Sequence, residues 1–81
     1  MKKIVEKVDL DDCIRLLKEY DKTNDLDLLD DFDDLSIKLF GEQEPWIRDI
    51  LWAIAKMNNH TTPLEIYCKI LKLLGFEIKG E

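Results

Sequence analysis

Carboxylates are the most concentrated chemical resource of this chain. Residues 25–34 read Asp-Leu-Asp-Leu-Leu-Asp-Asp-Phe-Asp-Asp, with six acids and no base. Over residues 9–34 there are 11 acids, ten Asp plus Glu19, against Arg15, Lys18 and Lys22, whereas residues 35–81 hold six acids and six bases. The net charge of −6 is therefore one-sided. Clustered carboxylates can chelate a hard cation, or stay free and attract a basic surface. Asp is a poorer helix former than Glu, so helix stability does not explain the choice. The other residues that could carry chemistry are Ser36, the single histidine His60, and Cys13 and Cys68.

An EF-hand loop starting at Asp25 would put Leu29 at position 5, Asp30 at the required glycine and Ser36 at the final glutamate, so it fails. Asp30-Asp31-Phe32-Asp33-Asp34 contains the Asp-Asp-x-x-Asp string of magnesium-dependent prenyl transferases. Those enzymes need a large cavity among many helices and a second aspartate motif, and neither fits 81 residues. No metal or cofactor is expected. Phe32-Asp33-Asp34-Leu35-Ser36-Ile37 resembles the phosphopantetheine segment of acyl carrier proteins over six residues, which would make Ser36 an attachment site. Leu35 replaces the Asp before that serine, the preceding Gly is missing, and the acids precede the serine instead of following it. His60 follows Asn58-Asn59 in a turn with no triad-like spacing, and is expected to face solvent. The cysteines read as small core residues without a disulfide. No Gly-rich phosphate loop, zinc pattern or nucleophile elbow is present, so an enzyme is not expected.

Positioning these residues falls to helices, which the sequence punctuates. Asp9 is an N-cap signal with Asp12 three residues on, and Val8 and Cys13 stand at hydrophobic-staple spacing. The first helix then buries Leu10, Cys13, Ile14, Leu16, Leu17 and Tyr20, and Arg15 is spaced to pair with Asp11 and Glu19. Thr23-Asn24-Asp25 breaks the pattern and caps a second helix ending before Gly41, with Leu28, Leu29, Phe32, Leu35, Ser36, Leu39 and Phe40 as its core stripe. A third begins with Pro45 and runs through Met57. Thr62-Pro63-Leu64-Glu65 reads as a capping box for a fourth, closed by Gly75. Residues 1–8 either extend the first helix or form a short strand, and Phe76-Glu77-Ile78 alternates like a strand end. The expectation is one domain over residues 1–81, an all-α four-helix bundle with short extended segments at the two termini.

No apolar run approaches the roughly 20 residues of a membrane span. Met1-Lys2-Lys3 is followed by no secretory h-region, so the cytoplasm is the expected compartment. Ile70-Leu71-Lys72-Leu73-Leu74-Gly75 is similar to the last helix of phage-repressor-like antitoxins, but no polar recognition helix accompanies it. The acidic field also opposes phosphate contacts, so direct nucleic-acid binding is not expected.

On the second helix Asp27, Asp30, Asp31 and Asp34 share the face opposite the core. Leu26, Asp30, Asp33 and Ile37 form an adjacent stripe with apolar ends. Charge that steers, flanked by apolar side chains that hold, is the pattern of a protein-binding site. The expected function is non-catalytic binding of a basic protein surface, in the form of an inhibitor that occludes a nuclease or other nucleic-acid enzyme. Immunity proteins, antitoxins and phage anti-defence (anti-CRISPR-like) proteins act in this way, and the likeness is one of size and charge. The partner-binding residues are expected to be Leu26, Asp27, Asp30, Asp31, Asp33, Asp34 and Ile37. The alternative is a self-associating adaptor, a homodimer built on the wide apolar faces of the third and fourth helices. A far-ultraviolet circular dichroism spectrum dominated by helix checks the fold expectation; a strand spectrum refutes it.

Overall fold

The computed structural model describes residues 3–41 and 45–81. It is a four-helix bundle with a short strand at each end: β1 (Lys3–Glu6), α1 (Lys7–Thr23), α2 (Leu26–Phe40), α3 (Pro45–Met57), α4 (Leu64–Leu73) and β2 (Phe76–Lys79). The strands pair in parallel, with Lys3 opposite Phe76, Ile4 opposite Glu77, Val5 opposite Ile78 and Glu6 opposite Lys79. No helix among the described residues is long and apolar enough to cross a membrane.

The start of α1 differs from the sequence expectation. Glu6, with φ −72° and ψ 130°, ends β1 and serves directly as the N-cap, so the helix begins at Lys7, two residues before Asp9. Val8 is 70% exposed while Cys13 is fully buried, so no staple forms between them. Strand pairing fixes Glu6 as extended and leaves no residues for a separate turn. Asp9 instead lies in the first helical turn, where its charge suits the helix dipole. Arg15 reaches Asp11 at 3.6 Å as expected, but its second partner is Asp12, not Glu19.

The link from α1 to α2 follows local rules. Asn24 adopts the left-handed conformation at φ 57° and its N–H donates to the Tyr20 carbonyl at 2.6 Å. Asp25 then caps α2, accepting the Asp27 N–H at 3.0 Å. At the start of α4 the capping box is not formed. Pro63 occupies the cap position with φ −65° and ψ 150°, and the Thr62 hydroxyl donates to the Ile54 carbonyl on α3 at 3.4 Å. Tertiary contact with α3 has taken the side chain that local capping would use. Gly75, at φ +98°, turns the chain from α4 into β2.

One continuous core joins these elements, with Leu10, Leu17, Phe32, Ile47, Leu51, Tyr67 and Leu71 all fully buried. α1 packs most extensively on α2, and α4 lies against β2. Two edge-to-face ring pairs bridge distant elements: Phe40 with Phe76 at 5.6 Å, and Tyr20 with Trp52 at 5.5 Å. Phe32→Ala should remove about 3–5 kcal/mol, much of the stability of a domain this small. Ile37→Ala, on the exposed side of the same helix, should stay within about 0.5 kcal/mol. Urea denaturation of the two variants checks the contrast.

Candidate functional site

The acidic helix presents its carboxylates because the apolar residues of α2 recur at helical spacing and claim the opposite side. Phe32, Ser36 and Phe40 are buried, and Leu28, Leu29, Leu35 and Leu39 are half-buried. Asp27, Asp30, Asp31 and Asp34 are all exposed, and no ion pair among the described residues reaches any of them. Leu26 and Ile37 flank them at 68% and 42% exposure. The structure therefore brings six of the seven expected partner-binding residues onto open surface.

Asp33 is the exception. It sits on the flank nearest α3, where its Oδ1 accepts from Arg48 Nη1 at 3.0 Å, and both side chains are about one-third exposed. Its charge is matched within the fold. An open groove of about 520 Å³ runs beside the acidic face between α1 and α2, lined by Asp12, Arg15, Leu16, Glu19 and Leu35. The sequence reading missed it because a groove between helices depends on their packing.

The nucleophile candidates are withdrawn from solvent. Ser36 is only 4% exposed and its hydroxyl donates to the Asp33 carbonyl at 2.9 Å, which holds it away from any attaching group. Burial, with help from Asp33, pushes the Cys13 thiol up to about 12, and burial also raises that of Cys68. Both therefore stay protonated and unreactive at neutral pH. Burial likewise raises the Tyr67 phenol, with the Thr62 hydroxyl acting in the opposite direction. Among the described residues, no three of His, Cys, Asp and Glu are grouped to hold a metal ion.

His60 does not face solvent as expected. Asn59 and His60 take consecutive left-handed conformations at φ 50° and 60°, and the His60 N–H donates to the Ala55 carbonyl at 2.8 Å. That reversal turns the imidazole back toward α1, where Nε2 lies 2.5 Å from Asp21 Oδ2. Lys56 Nζ lies 2.5 Å from the other oxygen of Asp21, and also stands over the Trp52 ring at 5.9 Å. A carboxylate can only accept, so Nε2 carries the proton. Nδ1 is buried with no hydrogen-bond partner among the described residues. Asp21 and His60 are 39 residues apart, and no spacing signal connects them. The cluster ties the end of α1 to the turn between α3 and α4.

Hydrogen bonds from Lys56 and then His60 hold the Asp21 carboxyl below its ordinary range. A depressed acid contributes stability above its unfolded pKa, and loses it as pH falls through the lower folded value. Asp21→Asn should therefore lower the melting temperature at neutral pH. The gap to the wild-type protein should close on acidification below about pH 4, as checked by thermal unfolding over a pH series; a gap that persists in acid would rule out the linkage.

Comparison with protein-family models, curated proteins and solved structures gives no match to this chain, and the reading of its function rests on its own residues.

Proposed function

We propose that this chain is a non-catalytic binding module whose acidic α2 face docks on a basic, nucleic-acid-binding surface of a partner protein and occludes it. The observation that carries the reading is a row of four exposed carboxylates, Asp27, Asp30, Asp31 and Asp34, without ion-pair partners among the described residues. From Asp27 to Asp34 there are seven steps, and a rise of ~1.5 Å per residue makes the mean interval between successive charges about 3.5 Å of axis. Successive phosphates on one nucleic-acid strand rise by about the same amount, ~3.4 Å. A partner groove that accepts a phosphate strand would find a similar line of charge here.

Charge alone gives encounter and orientation; retention needs apolar contact. Leu26 and Ile37 supply it at the two ends of the face. The neighbouring α1–α2 groove, with Leu16 and Leu35 among its lining residues, offers a further apolar footing beside acids. In this reading the partner is a nuclease or similar enzyme, and the module works in the cytoplasm as an inhibitor, in the manner of immunity, antitoxin or phage anti-defence proteins. Asp33 serves the bundle through Arg48 and adds little to the partner contact. A second reading, self-association, is favoured by apolar side chains left exposed on α3 and α4. Trp46 is 44%, Met57 83%, Ile66 40% and Leu73 87% exposed.

The two readings separate in binding kinetics over a salt series. With a purified partner nuclease, affinity should fall steeply with salt and nucleic acid should compete for the same surface. Asp30→Asn combined with Asp31→Asn should chiefly slow association, whereas Leu26→Ala or Ile37→Ala should speed dissociation. Helix content should be unchanged, since Asn and Asp have similar helix propensities. Affinity indifferent to salt and to these substitutions, but lost on changing Trp46 or Met57, would transfer the interface to α3 and α4.

A further inference from the structure

The sheet is left with an unfinished edge. A two-stranded sheet is marginal on its own, and unpaired strand edges invite another chain. Among the described residues, β2 pairs with β1 alone, and no other backbone or side-chain hydrogen bond reaches residues 76–79. Phe76 and Ile78 point into the core at 7% exposure each, while Glu77 and Lys79 face outward. On the same outer face, Ile4 is 60% exposed beside Glu77 in the register.

The charge pattern selects the occupant. Antiparallel pairing of β2 with a second copy keeps both cores on one side of the sheet only if the two-fold axis passes through a residue. An axis at Glu77 sets Glu77 against Glu77, and an axis at Lys79 sets Lys79 against Lys79; like charges directly opposed are unfavourable. An axis at Ile78 sets Glu77 against Lys79 twice and Ile78 against itself. β1, which ends at Glu6, offers no equivalent, since an axis at Val5 would oppose Ile4 to Glu6 and pair no opposite charges. Residues 35–81, which include β2, carry six acids and six bases, so this half of the chain adds no net charge of its own.

We propose that β2 is the self-association edge of this protein. Two copies join antiparallel through Glu77, Ile78 and Lys79 into a four-stranded sheet ordered β1-β2-β2-β1. Across its outer face, Glu6, which already lies 3.8 Å from Lys79, is followed by Lys79 and then by Glu77 of the second copy. Acid, base and acid thus alternate across three strands. The dimer is independent of the acidic α2 face, which stays open on each copy.

Sedimentation equilibrium over a concentration series tests the edge, since a contact this short gives a weak dimer with a dissociation constant on the order of 10–100 µM. Glu77→Lys alone, or Lys79→Glu alone, opposes like charges at both symmetry-related pairs and should weaken association about 10-fold. Combining both swaps with Glu6→Lys restores the pairing between copies and keeps an opposite charge facing position 79 from β1; this triple variant should restore the dimer, and the recovery separates an edge contact from a fold defect. Both positions are exposed, and circular dichroism should be unchanged in all three variants. Amides of residues 77–79 should gain exchange protection as concentration rises. A wild-type monomer throughout the range overturns the proposal. So does a dimer indifferent to both single substitutions, which would place self-association on the apolar faces of α3 and α4.

Discussion

Parallel strands cannot be joined by a tight hairpin, because the chain must return to the same end of the sheet before the second strand begins. Here the return path is the whole four-helix bundle, and the pairing of β1 with β2 fastens its first and last segments together. Much else follows from that closure. Glu6 is fixed as extended, so α1 starts at Lys7; Gly75 must turn the chain at positive φ, so that β2 can lie beside β1. Val5 and Ile78 meet across the pair, and Phe76 brings the end of α2 in through Phe40. A core this small has few redundant contacts, and losing the closure would expose side chains from both ends of the chain together.

Charge is divided between two uses. Where an acid meets another element, the fold supplies its partner. Arg48 on α3 takes Asp33, and Lys56 with His60 takes Asp21. These half-buried contacts fix how α3 and its following turn sit against α1 and α2, a matter of geometry more than of net stability. The remaining carboxylates of α2 are left to solvent with no ion-pair partner among the described residues, although such a run repels itself and Asp is a poor helix former. The proposed docking on a basic surface is built on this unmatched set.

Features under local chemical control are legible in the residues alone. Helical periodicity in residues 26–40, the Asn24-Asp25 break and the glycines at 41 and 75 mark elements through torsional preference and capping, interactions that span only a few residues. The same periodicity sorted Asp27, Asp30, Asp31 and Asp34 from Phe32 and Phe40, because a helix fixes its own faces. Wherever a local signal competed with a distant contact, the packing of the helices set the outcome. Thr62 gave up its capping role for the Ile54 carbonyl, Asp9 lost the N-cap to the strand before it, and His60 turned from solvent to Asp21. The pairing of β1 with β2 and the diversion of Asp33 to Arg48 belong to the same class. Each joins groups at least eight residues apart, or depends on a pairing that does. Their meeting is set by how whole helices pack, which no short window of sequence encodes.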